Sequence, residues 1–106
     1  MITAPSRTFR IWIAGDYDDA LRACREFCSN EGACFAVSRA AYPYTGGMED
    51  GLCVTLINYP RFPKSEAELA DKAIRLGGFL REKLYQDSFT VEGPDKTVWL
   101  SNRVQS

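Results

Sequence analysis

Phe9, Ile11 and Ile13 alternate with Arg10 and Trp12, a period of two that lays one face of a strand on a core. Ala14-Gly15-Asp16 ends it. Asp16 is a suitable N-cap, Asp18 and Asp19 stand where a helix dipole favours carboxylates, and Ala20, Leu21, Cys24, Phe27 and Cys28 recur at helical spacing. The pattern predicts a helix over 17–29, stopped at Ser29-Asn30-Glu31-Gly32. Ala33, Phe35 and Val37 then alternate with Cys34, Ala36 and Ser38, which predicts a second strand running toward Ala41. Tyr42 through Gly51 reads as a long turn, and the β-branched, nearly continuous apolar run Leu52–Tyr59 as a central strand.

Pro60 and Pro63 break that strand, and Ser65-Glu66-Ala67-Glu68 is a capping box that opens a long helix. Leu69, Ala73, Leu76 or Gly77, Leu80 and Leu84 form its apolar stripe. Gly77-Gly78 costs a mid-helix segment roughly 1 kcal/mol per glycine against alanine, so a close approach is expected there, by the sheet, the first helix or a second subunit. Ser88–Val91 and Thr97–Leu100, joined by Glu92-Gly93-Pro94-Asp95-Lys96, read as a hairpin. The order predicts an α+β fold, a ferredoxin-like βαββαβ sandwich with an antiparallel sheet, two helices on one face and an extra C-terminal strand. One domain is expected over 1–106, with a disordered N-terminal arm at 1–7 and a disordered tail at 104–106. The uncovered sheet face, with Trp12 and one alternating set from Cys53, Thr55, Ile57 and Tyr59, suggests a homodimer or higher homo-oligomer.

Composition narrows the chemistry. With 13 Lys+Arg against 14 Asp+Glu and a formal charge of −1, the chain lacks the basic surplus of a protein held by phosphate contacts, and no nucleic-acid partner is expected. There is no histidine, so imidazole bases and Ser-His or Cys-His pairs are excluded. MITAPSRTFR has no apolar core of a targeting segment and no stretch reaches a membrane span, so a cytoplasmic protein without a membrane partner is expected. Cys24 and Cys28 fall on the first helix's apolar stripe and no CxxC knuckle is present, which favours reduced core thiols over a zinc site. Helix capping and loop solvation account for Asp16, Asp18, Asp19, Glu49 and Asp50. No metal, cofactor or catalytic residue is expected.

Asn58-Tyr59-Pro60-Arg61-Phe62-Pro63 is the most unusual run. It joins a central strand to a helix N-terminus, where sheet proteins commonly place ligands. Arg61 could fork onto a phosphate or carboxylate, Tyr59 or Phe62 stack on a planar base, and Asn58 read its edge. A rigid Pro-flanked turn that completes the core is the alternative. Tyr44, in Tyr42-Pro43-Tyr44-Thr45-Gly46-Gly47, and the terminal Asn102 and Arg103 extend the candidate set. Arg22, Arg25 and Arg39 are the other arginines of interest, and scattered arginines are ordinarily solvent-facing.

The segments IAGD before a helix carrying CREFC, YTGG followed by Glu49-x-Gly51, and LINYPRFP resemble small proteins of tailed bacteriophages, over most of residues 9–100. In layout the chain is also similar to the first Thoeris anti-defence family. That resemblance implies an oligomer that sequesters a cyclic ADP-ribose signal without cleaving it, in an arginine- and aromatic-lined pocket to which Asn58, Arg61, Phe62 and Arg103 are suited. The expected function is thus a non-enzymatic, phage-type anti-defence protein that binds a small anionic nucleotide. The alternative is a protein-blocking inhibitor of a bacterial immune complex, of the anti-CRISPR kind, acting through the sheet face or the 42–50 loop.

Overall fold

A computed structural model describes residues 1–103; the tail expected at 104–106 lies outside them. The chain runs β1 (Thr8–Ala14), α1 (Tyr17–Glu31), β2 (Ala36–Tyr44), β3 (Gly47–Ile57), α2 (Glu66–Lys83), β4 (Ser88–Glu92) and β5 (Thr97–Ser101). Every pairing is antiparallel and the strand order is β2-β3-β1-β4-β5. This is the ferredoxin-like arrangement with β5 added outside β4. Register puts Ile11 opposite both Val54 and Val91, so Phe9, Ile13, Leu52, Leu56 and Phe89 share its face. Both helices lie on that face. Their buried stripes, Ala20, Ala23, Cys24 and Phe27 from α1 and Leu69, Ala73, Leu76 and Leu80 from α2, complete one core with it. Ile11, Leu52, Leu76 and Leu80 are fully buried, each worth about 1.5–3 kcal/mol of transfer free energy.

Local chemistry fixes the helix ends. The Asp16 side chain accepts from the Asp19 N–H at 2.9 Å, and Ser65 and Glu68 form the reciprocal capping box. At the other end of α1, Gly32 adopts φ 66°, a left-handed cap whose N–H bonds the Cys28 carbonyl at 2.8 Å. The helix therefore runs two residues past the predicted stop. Gly77 packs directly against the Phe89 ring of β4, so the close approach anticipated at the glycine pair comes from the sheet.

Two predicted boundaries move. Residues 33–35 lie outside β2, because the chain must first turn away from the α1 cap. The predicted long turn 42–51 is instead the outer half of a β-hairpin: Tyr42, Pro43 and Tyr44 pair with Glu49, Met48 and Gly47, leaving Thr45-Gly46 as the loop. Gly46 takes φ 93° there. Both faces of this arm are largely exposed, so backbone pairing holds it without the apolar alternation that marks a strand in sequence. The arm is anchored by Tyr42, whose hydroxyl donates to the Leu52 carbonyl at 2.6 Å across Gly51. Burial pushes that hydroxyl up to about 12.

Among the described residues no helix covers the opposite sheet face, which carries Trp12, Ile57 and Trp99 at 36%, 41% and 52% exposure. Trp12 donates its indole N–H to Glu92 Oε1 at 3.0 Å, and Arg10 stands 4.0 Å from the same carboxylate.

Candidate functional site

The loop that leaves β3 is built around Asn58. This side chain is 7% exposed, donates from Nδ2 to the Pro5 carbonyl at 2.9 Å, and accepts the Lys64 N–H at 2.8 Å. Its backbone N–H bonds the Arg7 carbonyl, and Arg7 in turn donates to the Lys64 carbonyl at 3.2 Å. Asn58 thus ties the N-terminal segment to the entry of α2, its amide engaged at both ends. Between the two anchored points, Phe62 N–H closes a turn onto the Tyr59 carbonyl at 3.1 Å. The turn brings the Tyr59 and Phe62 rings to a centroid separation of 5.7 Å at 45°, a tilted aromatic pair.

That pair forms one wall of a cavity of about 370 Å³. Its other walls are the end of α1 with the following turn (Cys28, Gly32, Ala33, Cys34), the end of β3 (Leu56, Ile57), and Lys64, Leu69 and Lys72 at the start of α2. The volume lies within the range of small-molecule sites, and the lining combines apolar surface with two ammonium groups and a phenol. Burial, then the Cys34 thiol beside it, push the Tyr59 hydroxyl above its ordinary value. Phe62 is 51% exposed, leaving one face of the pair open at the mouth. The arrangement can stack a planar base and hold an anionic group on lysine.

Of the residues singled out in the sequence, Tyr59 and Phe62 meet at this cavity, with Asn58 shaping the loop beneath them. Arg61 is exposed on the turn between the rings. Tyr44 stands at the tip of the β2–β3 arm, 57% exposed. Asn102 and Arg103 follow β5 at the far edge of the sheet, where Asn102 N–H bonds the Asp87 carbonyl and Arg103 lies 3.7 Å from the Asp87 carboxylate. Since β2 and β5 are opposite edges, one copy of the chain does not bring Tyr44 and Arg103 together. Arg22 pairs with Asp19, and Arg39 stacks 4.2 Å over the Tyr17 ring. Sequence reasoning missed Cys28, Cys34, Lys64 and Lys72. Lys72, three residues after buried Leu69 on the same helix face, was the available signal.

A second concavity of about 420 Å³ lies near the opposite end of β1, lined by Asp16, Tyr17, Arg39 and Asp50 among others. Among the described residues, no group of three or more His, Cys, Asp or Glu side chains could hold a metal ion, and no helix is long and apolar enough to cross a membrane.

No family model matches the sequence, and no curated protein matches it. Two solved structures share the fold. One is a phage SAM lyase in its apo state, 17% identical, with a TM-score of 0.73 over 94% of this chain and 92% of that one. The other is a phage SAM lyase in complex with S-methyl-5'-thioadenosine, 18% identical, with a TM-score of 0.69 over 100% of this chain and 97% of that one. This likeness overturns the expectation that the chain is not an enzyme: phage SAM lyases, which are enzymes, share its fold across nearly the whole length. The small molecule in the second of these structures is S-methyl-5'-thioadenosine, a nucleoside and not a cyclic ADP-ribose.

Proposed function

We propose that the chain is a phage-type anti-defence enzyme that binds S-adenosylmethionine in the 370 Å³ cavity and splits it, releasing S-methyl-5'-thioadenosine. The observation that carries this reading is the fold likeness to a SAM lyase over more than nine-tenths of both chains. The cavity adds chemical support. Tyr59 and Phe62 offer an aromatic surface for adenine, and Lys64 and Lys72 offer cations for the methionyl carboxylate.

The product fixes which bond breaks. S-methyl-5'-thioadenosine keeps the methyl and adenosyl carbons of the sulfonium, so cleavage falls between sulfur and the methionyl Cγ. The electron pair stays on sulfur and cancels its positive charge. The four-carbon fragment closes when its own carboxylate attacks Cγ, so one C–O bond forms as the C–S bond breaks and no proton is abstracted. A chain without histidine suits that route. The protein's share is to fold the methionyl tail toward its reacting geometry and keep water out. Lysines near the site disfavour the sulfonium, and that unfavourable charge disappears on cleavage.

The open sheet face with Trp12, Ile57 and Trp99 supports assembly into a homo-oligomer, which sedimentation measures directly.

Incubation with S-adenosylmethionine followed by chromatography tests the reading. S-methyl-5'-thioadenosine is expected to appear in step with loss of substrate. Tyr59→Ala and Lys72→Ala are each expected to lower kcat/KM about tenfold, the equivalent of roughly 1.4 kcal/mol of lost stacking or charge-assisted bonding. Substrate recovered intact after prolonged incubation refutes the proposal.

A further inference from the structure

The four thiols of this chain are not equivalent. Cys24 is 4% exposed in the core and burial pushes it up to about 12, while Cys53 sits on the opposite face of the sheet. Cys28 and Cys34 alone share the cavity wall. Their proximity follows from the helix cap: Gly32 in the left-handed region turns the chain back at the end of α1, so that Ala33 and Cys34 line the same space as the last turns of the helix. Burial and then Cys34 raise Cys28, while the Lys72 ammonium on the facing helix lowers it. Cys34 is exposed and Cys28 half-buried behind it, the disposition of an attacking thiol and a resolving one.

We propose that Cys28 and Cys34 form a dithiol modification site in the cavity wall, which a small disulfide of the glutathione class closes into an intramolecular Cys28–Cys34 bond. The Cys34 thiolate attacks one sulfur of the small disulfide, breaking its S–S bond and releasing one thiolate, which takes up a proton. Cys28 loses its proton, assisted by Lys72, and attacks the Cys34 sulfur of the mixed disulfide, expelling the second small thiol. Two protein thiols are oxidised and one small disulfide is reduced to two thiols. Closure ties the end of α1 to the segment entering β2 and makes the cavity wall answer to the thiol–disulfide balance. This goes beyond the lyase reading and needs no ligand in the cavity.

The test uses the whole folded chain, incubated with glutathione disulfide, blocked and digested with trypsin. Cleavage after Arg25 and Arg39 places Cys28 and Cys34 together in peptide 26–39, apart from Cys24 in 23–25 and Cys53 in 40–61. The expected result is a 26–39 peptide lighter by two hydrogens and free of glutathione. In Cys28→Ser, which lacks the resolving thiol, the same peptide is expected to retain one glutathione. An unreacted 26–39 peptide in the wild type, one that keeps glutathione as the variant does, or one joined to 23–25 or 40–61, overturns the proposal. Assay of the reduced chain on S-adenosylmethionine reads the lyase proposal separately.

Discussion

Gly77 and Gly78 are adjacent in α2 yet face opposite consequences when a methyl group is added. Alanine gains about 1 kcal/mol over glycine inside a helix, whichever position receives it. At Gly78 none of the described residues lies within 4 Å of the added carbon, so Gly78→Ala should realise most of that gain. At Gly77 the carbon collides with one edge of the Phe89 ring, with Cζ at 2.9 Å. Phe89 is 2% exposed and its ring also lies 5.2 Å from the Arg81 guanidinium, so it has little room to retreat. Overpacking of this kind costs typically 1–3 kcal/mol, which cancels or exceeds the propensity gain. Gly78→Ala is therefore expected to be more stable than Gly77→Ala by about 1–3 kcal/mol, or at least about 4 °C in Tm for a chain of this size. Urea unfolding of both variants measures the difference. A double-mutant cycle sharpens it: in a Phe89→Leu background the collision is relieved, and Gly77→Ala should become stabilising relative to that background. Equal stabilities for the two alanine variants, or strict additivity with Phe89→Leu, would refute the packing argument.

Asp16→Ala removes the α1 cap bond to Asp19 and should cost about 1 kcal/mol in urea unfolding, whereas Asp16→Asn, which keeps an acceptor oxygen there, should avoid most of that loss. Asn58→Ala leaves the Pro5 carbonyl and the Lys64 N–H without their partner, and should cost roughly 1–3 kcal/mol while loosening the turn that carries Tyr59 and Phe62; hydrogen exchange at Lys64 reports it. Tyr42 and Cys24 both hold their protons in the fold up to about 12, against ordinary values of 10.0 and 9.0. The unfolded chain releases them first, so their contribution is complete below pH about 9 and declines as pH rises toward 12, which urea midpoints across that range will show. Tyr42→Phe should flatten the part of that decline above pH 10.

What was legible in the sequence was local in origin. Asp16 and Ser65 cap their helices through bonds to residues three places away, and alternation at Phe9, Ile11 and Ile13 reports a face that any core would bury. From these the element order, the two-helix layer and the added strand followed. The β2–β3 arm was hidden because its outer half buries neither face. Asn58 read as a ligand contact because sequence shows an amide beside aromatics, whereas only the fold brings Pro5 and Lys64 to its two ends. The cavity draws on α1, β3 and α2, positions from 28 to 72 that no spacing rule links, and so its thiols and lysines emerged only with the tertiary structure. Likewise Tyr44 and Arg103, chemically matched to Arg61 and Phe62, were separated by strand order. The sequence by itself determined the type and order of the elements, since caps, breakers and periodicity act within a few residues. The tertiary structure alone decided which side chains share a site, since packing brings together residues whose separation along the chain carries no signal.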